Sequence, residues 1–408
     1  MSITYRRLGA TILVAAVMSG ACSDGGDDKK AAPAGGAAGK QAPVQVKVGG
    51  VHSPAAGLRA QLTSLLQEHV FLSGIATDLV LAGKDPAPVG VVLEANTAAL
   101  GTTFSQVYDD VVAQRLVELW RQKSALVTQF AQATAVGDQA ATAKVKADLE
   151  LYKGEFATFL NETNPQLAAD LLEDDAGTHV NSLLGVVTAQ FKKDPLALSK
   201  LKDAAKVMPR TGAVFAAGIV KQMPESYKGT ADGSGATLLA TLTATFQEHV
   251  YLLGATTRTV VAGGDDKKPR EILDESSEGL ANLVSSLYGD PAGRRFLQVW
   301  RGHIGAFVDY AEAAAARDAA AAQKATTDLA TFRTRLGALL EGLNKNLPSQ
   351  AVAVDFEDYV AAMEAAIAAQ AVADPAEFQL LHDAASTTPL LAEVLAGAIA
   401  KQFDSKFS

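Results

Sequence analysis

The sequence predicts an all-α protein built from two tandem up-and-down helix bundles of about six helices each. Beyond the first 53 residues, apolar residues recur at spacings of three and four, and no alternating run between hairpin turns indicates a strand. The chain also matches itself at an offset of 180 residues, because 14 of 26 positions from Leu58 to Gly83 are identical to Leu238 to Gly263. These observations indicate a tandem duplication of one helical unit.

The same offset holds far downstream. Trp120-Arg121 matches Trp300-Arg301, and Lys221-Gln222 matches Lys401-Gln402. We therefore expect one bundle over residues 54–226 and a second over 236–408, joined by a linker at 227–235. The composition of this linker suits a flexible joint, although two such similar bundles could also pack on each other.

Capping residues and prolines predict where the helices begin and end. In the second copy we expect helices near 236–263, 269–288, 291–316, 319–343, 352–372 and 375–403, and the first copy should repeat them 180 residues earlier. Asp290-Pro291 and Asp374-Pro375 place a capping carboxylate before a proline, which favours a helix start. Gly263 is expected to close the first helix, and Pro389 to kink or split the last one.

The N-terminus predicts export. Arg6 and Arg7 precede a short apolar stretch and the small residues Ser19-Gly20-Ala21, which is typical of a signal peptide over residues 1–21. The only cysteine, Cys22, follows directly, and this arrangement resembles the lipobox of bacterial lipoproteins. The resemblance implies a lipid anchor at Cys22 and a periplasmic or cell-surface location, with ordinary secretion as the alternative. Residues 22–53 are predicted to be a flexible tether.

Charge and missing motifs exclude several functions. The formal net charge is −9, and no basic patch with interleaved aromatic residues occurs, so nucleic acid is not an expected partner. The sequence has no phosphate-binding glycine loop and no nucleophile elbow, which removes support for most hydrolase and nucleotide-dependent mechanisms. The expected partners are a membrane, through Cys22, and another protein.

Histidines on three helices of the second copy are candidate metal ligands. His249 and His303 each lie within an apolar stripe, and His382 shares a face with other apolar residues of the last helix. If these imidazoles converge, with Glu248 or Glu364 as a carboxylate, they would suit zinc, copper or iron. The alternative is that each histidine is a core residue with its own hydrogen-bond partner. The first copy offers His69, Glu68 and His179, and it has Lys123 and Lys202 in place of two of the histidines.

The Glu-His-Val signature of the first helix, Tyr288 to Asp290, Asn344 and Lys401 to Phe403 together resemble an uncharacterised family of bacterial exported helical-bundle proteins. That resemblance covers nearly the whole mature chain and implies histidines on the first, third, fifth and sixth helices. It implies no reaction. By position, it selects His69 and His179 in the first copy and His249, His303 and His382 in the second, whereas Lys123, Lys202 and Tyr359 depart from the pattern.

The leading hypothesis is a lipid-anchored binding module with a histidine-based metal site in the second bundle. A structural or protein-interaction lipoprotein without metal is the first alternative. A metal-dependent redox enzyme is the second, and it would need an open coordination position and an access channel.

Overall fold

The computed structural model describes residues 50–407, and all regular structure in this range is α-helical. The predicted all-α class is therefore confirmed. The predicted signal peptide, Cys22 and most of the predicted tether lie outside the described residues. The first half contains α1 (Pro54–Leu81), α2 (Ala87–Ser105), α3 (Asp110–Ala135), α4 (Gln139–Thr163), α5 (Ala169–Phe191) and α6 (Ala197–Gln222). The second half contains α7 (Ser234–Val261), α8 (Lys267–Tyr288), α9 (Asp290–Ala316), α10 (Ala319–Leu343), α11 (Ser349–Ala371), α12 (Glu377–Ser386), α13 (Thr388–Gln402) and α14 (Asp404–Phe407).

Helix ends follow local chemistry. The Ser53 side chain accepts a hydrogen bond from the Ala56 amide at the start of α1, and α9 begins at Asp290 with a proline in its first turn. Gly263 follows α7 with a φ of +66°, which lies in the left-handed region that favours glycine. These local signals explain why the observed bounds lie close to the predicted ones.

The two prolines of the last predicted helices have different effects. In the second half the helix splits at Thr387, and Pro389 lies in the first turn of α13. In the first half Pro209 lies inside the continuous helix α6. A proline removes one backbone donor in either case, and only at Pro389 does this produce a separate helix start.

Helices α1 and α7 form the centre of the molecule. Each packs against helices of its own half, and the two also pack against each other. Residues 50–407 belong to one compact unit that contains both halves. The stretches Gln67–Val70 and Gln247–Val250 are completely buried, polar residues included. Because α1 and α7 are covered on all sides, each can direct some side chains into its own half and others towards the other half.

The membrane question has a direct structural answer for the described part of the chain. No helix between residues 50 and 407 has both the length and the apolar character that a membrane span requires.

Candidate functional site

Two histidines of the second half meet in its interior. His249 on α7 and His303 on α9 are both buried, and their Nε2 atoms are 3.0 Å apart. Burial lowers the pKa of His249 to about 3 and lowers the pKa of His303 well below its ordinary value. Both imidazoles are therefore neutral at neutral pH, and each has one nitrogen lone pair for a hydrogen bond or a metal ion.

Aromatic side chains surround this histidine pair. The Trp300 ring centroid lies 4.4 Å from that of His303 and 4.9 Å from that of His249. Phe332 of α10 stacks on His303 with ring centroids 4.4 Å apart. The ring of Tyr359, on α11, is 6.5 Å from His249 and 6.3 Å from His303. This packing holds both imidazoles in fixed orientations and keeps bulk water out.

Several polar atoms of this cluster have no hydrogen-bond partner within residues 50–407. They are His249 Nδ1, Trp300 Nε1 and the Tyr359 hydroxyl, while His303 Nδ1 has only a marginal contact with the Trp300 backbone. An unsatisfied buried polar group costs about 1–3 kcal/mol. Folded cores rarely concentrate several such atoms in one place. The cluster therefore has unused donor and acceptor capacity that an additional bound group could satisfy.

The corresponding positions of the first half form a cluster around Lys123, in which His179 Nδ1 has no hydrogen-bond partner within residues 50–407. The Lys123 Nζ is 2.8 Å from His69 Nε2 and 3.0 Å from His179 Nε2, and it lies 3.5 Å from the centroid of the Trp120 ring. Only 1% of the Lys123 surface is exposed. The lysine nitrogen thus bridges two imidazoles at the position where the second half has His303.

The hydrogen bonds around Lys123 require a neutral amine. The Trp120 indole N–H donates to His69 Nδ1 over 3.1 Å, so neutral His69 must carry its proton on Nε2. That N–H can donate to Lys123 Nζ only if the nitrogen has a free lone pair, and Lys123 then donates to His179 Nε2. Burial, which lowers the pKa of Lys123 well below 10.5, favours the same protonation state.

His382 does not join His249 and His303. Its Nδ1 lies 2.8 Å from Glu68 Oε1, across the interface between the two halves. The Tyr251 hydroxyl donates to the same oxygen over 2.7 Å, and the Asn96 amide donates to Glu68 Oε2 over 2.9 Å. Glu68 is therefore a buried carboxylate that binds groups from α2, α7 and α12.

Glu248 and Lys202 also lie at the interface between the two halves, and not beside His249 and His303. Burial raises the pKa of Glu248, and the positive charges of Lys206 and Lys202 on α6 oppose that shift. Lys202 Nζ forms an ion pair with Glu275 over 2.6 Å. Each half therefore contributes two groups to this interface. One is a carboxylate on its central helix (Glu68 or Glu248), and the other is a basic side chain on one of its last helices (Lys202 or His382).

The structure corrects the set of residues predicted to act together. His249 and His303 converge, whereas His382 and Glu248 face the other half. In the first half, His69 and His179 converge on Lys123, and Glu68 turns away from them. Within the described range, no group of three or more histidine, cysteine, aspartate or glutamate side chains has the geometry of a metal site.

Sequence reasoning missed the role of three residues. Lys123 was expected only as a departure from the histidine pattern, although its place three residues after Trp120 puts both on one helix face. Tyr251 and Asn96 bind Glu68, but neither has a sequence signal that separates it from an ordinary core position. The packing of α2 on α1 must be known before Asn96 can be found, and the contact between the halves must be known before Tyr251 can be found.

Comparison with protein-family models, with curated proteins and with solved structures gives no match to this chain.

Proposed function

We propose that this chain is an exported, lipid-anchored binding protein whose second half holds one transition-metal ion between His249 and His303. The observation that carries the proposal is the 3.0 Å separation of the two Nε2 atoms, in a buried cluster whose other polar atoms lack partners. The N-terminal sequence supports export and attachment through Cys22.

The distance between the two nitrogens suits two ligands of one ion. With metal–nitrogen bonds of roughly 2.0–2.1 Å, a separation of 3.0 Å corresponds to an N–metal–N angle of about 94°. An angle near 90° is typical of neighbouring ligands in the tetragonal geometry that Cu(II) prefers. Tetrahedral Zn(II) would need the two rings to move apart slightly.

Tyr359 supplies the third donor in this proposal. Its buried hydroxyl has no hydrogen-bond partner, and burial raises its pKa, so it is a neutral phenol in the absence of a cation. A bound divalent ion would favour the phenolate, because a positive charge stabilises the ionised form of a neighbouring acid.

The first half supports the proposal by contrast. In its equivalent cluster, Lys123 Nζ lies within hydrogen-bond distance of the Nε2 atoms of both imidazoles. Because Lys123 uses the nitrogen atoms that a metal would need, we assign the binding function to the second half alone.

Equilibrium dialysis of the full chain against Cu(II) and Zn(II) tests this function. We expect one tightly bound ion in the wild type and at least about a 100-fold loss of affinity in the His249→Ala, His303→Ala double variant, since even residues behind the ligands account for 10–100-fold. His382→Ala and His52→Ala are the controls, because these histidines lie outside the pair and should leave binding unchanged.

The pH dependence of binding separates the buried pair from an exposed histidine. Since the pKa of His249 is about 3, protonation of the imidazoles should not compete with the metal between pH 5 and 8, whereas binding to a surface imidazole falls below about pH 6.5. The comparison uses Tyr359→Phe, so that ionisation of the phenol does not add a pH dependence of its own. Absence of a bound ion, or equal binding by the double variant, would leave the histidines as core hydrogen-bonding residues of a protein-interaction module.

A further inference from the structure

A groove lies at the interface between the two halves, beside the start of α1. Residues of α1, α7 and α13 form most of its wall, and its volume is about 480 Å³. Volumes of roughly 300–1,000 Å³ are typical of small-molecule sites. The wall combines apolar side chains such as Leu65 and Leu239 with polar ones such as Gln61 and Ser64, and Glu393 of α13 adds a carboxylate. The groove therefore has both the size and the mixed polarity of a ligand site.

Residues 180 positions away from those of the groove wall form a second site, and Arg59 occupies it. Arg59 Nη1 donates hydrogen bonds to the Ala231 carbonyl over 2.8 Å and to Thr237 Oγ1 over 2.9 Å. Burial lowers the pKa of Arg59, and the negative charge of Asp232 opposes this shift. The guanidinium is therefore held by a backbone carbonyl, a hydroxyl and a nearby carboxylate.

The residues of the Arg59 site have counterparts in the wall of the groove. Leu239 lies at the position equivalent to Arg59, and Val51, His52 and Gly57 lie at the positions equivalent to Ala231, Asp232 and Thr237. Leucine is shorter than arginine, and glycine lacks the side chain of threonine. The groove therefore keeps open the space that a guanidinium fills in the other site.

The groove also retains acceptors for a cation. The Val51 carbonyl, like that of Ala231, accepts no backbone hydrogen bond within residues 50–407. Glu393 supplies a carboxylate where the other site has Ala213. His52 Nδ1 lies 3.8 Å from Glu393 Oε1, which is longer than a hydrogen bond. Since no wall residue in the described part of the chain is an arginine or a lysine, the carboxylate is available to a cation from outside.

We propose that this groove binds a small molecule that carries a guanidinium group on an apolar stem. The guanidinium binds Glu393 and the Val51 carbonyl, because its planar set of donors matches a carboxylate and leaves further N–H groups for a carbonyl. The stem packs on Leu239 and Leu390, which line the groove. The site is independent of the proposed metal site, because its wall contains neither His249 nor His303.

Isothermal titration of the full chain with N-propylguanidinium tests the proposal, because this cation is an arginine side chain without its backbone. We expect binding at one site, and no binding of N-propylurea, which has nearly the same shape without the charge. Glu393→Gln should weaken binding by about two- to fivefold, as expected for a partly exposed ion pair. Glu118→Gln removes an exposed carboxylate of α3 and is the matched control. Equal binding of both compounds, or no binding of the cation, would overturn the proposal.

Two variants that fill the groove test its location. Leu239→Arg supplies a guanidinium from the chain itself, as Arg59 does in the other site, and should abolish binding. Gly57→Leu keeps the test decisive if that variant folds poorly, because a Cβ atom at Gly57 lies in open space, and it should remove most of the binding. The His249→Ala, His303→Ala variant should bind the cation as the wild type does, so that failure of the metal proposal and failure of this one are distinguishable. Unchanged binding in both groove variants would contradict the assignment.

Discussion

The free energy of unfolding should rise between about pH 8 and pH 9.5, and Lys123→Met should remove most of that rise. Lys123 is neutral in the folded state, and burial lowers its pKa well below 10.5. The unfolded chain binds a proton at this residue up to about pH 10.5 while the folded chain does not, so stability increases with pH. The expected slope is about 1.4 kcal/mol per pH unit for one proton, or about 2 kcal/mol across this window.

The window is chosen to isolate Lys123. The pKa of His382 is raised, chiefly by its hydrogen bond to Glu68, so the stability from that residue is lost as the pH rises through its folded pKa, opposite in sign to the effect of Lys123 and common to wild type and Lys123→Met. Burial raises the pKa values of Tyr152 and Tyr359, so these residues begin to favour the unfolded state only near pH 10. Urea unfolding at several pH values provides the measurement, with Lys144→Met at an exposed position as the control. If the free energy of unfolding changed with pH in parallel for wild type and Lys123→Met, the amine would be charged in the folded state, which would contradict the prediction.

Removing the Glu68 carboxylate should destabilise the protein by about 3–5 kcal/mol, the usual cost of breaking a buried ion pair by deleting one partner. Glu68 is 4% exposed, and Tyr251, Asn96 and His382 all bind to it. Glu68→Ala leaves these three donors without their common acceptor. Urea or thermal unfolding measures the loss.

A surface carboxylate on α2 provides the matched control for Glu68. Glu94 forms an exposed ion pair with Arg121, and Glu94→Ala should cost no more than about 1 kcal/mol. The effect of Glu68→Ala should also be larger at pH 6 than at a pH above the raised pKa of His382, because the stability that His382 contributes is present below its unfolded pKa and lost as the pH rises through its folded pKa. If Glu68→Ala lowered the free energy of unfolding by the same amount as Glu94→Ala at both pH values, the interface between the halves would not depend on this carboxylate.

Local signals in the sequence explain how much of the fold could be predicted. Helix starts depend on short-range chemistry, such as the Ser53 cap of α1 and the proline in the first turn of α9, where Asp290 lies inside the helix and makes no capping bond. Helix ends depend on residues such as Gly263. A break was predicted at Pro389 and is found there, whereas the equivalent Pro209 leaves α6 continuous, so a missing backbone donor alone does not decide where a helix splits. These effects act within a few residues, so they can be predicted from the sequence without knowledge of the tertiary structure.

The candidate site was predictable only in part, because helical spacing identifies a buried face but not what that face meets. His249 and His303 point into the same bundle, and their stripes predicted this correctly. His382 is also partly buried, yet it faces Glu68 because the halves pack through α1 and α7. Lys123 shows the same limit, since its partners lie on two other helices. Long-range packing decides these contacts, and a single sequence does not contain that information in a local form.

The most direct test of the metal proposal is the number of copper ions retained per chain in two exchange variants. His303→Lys gives the second half the lysine of the first, and Lys123→His gives the first half the histidine of the second. The account predicts one ion in the wild type, none in His303→Lys and two in Lys123→His, with circular dichroism confirming that each variant is folded. An unchanged count in both variants, or no copper in the wild type, would contradict the account.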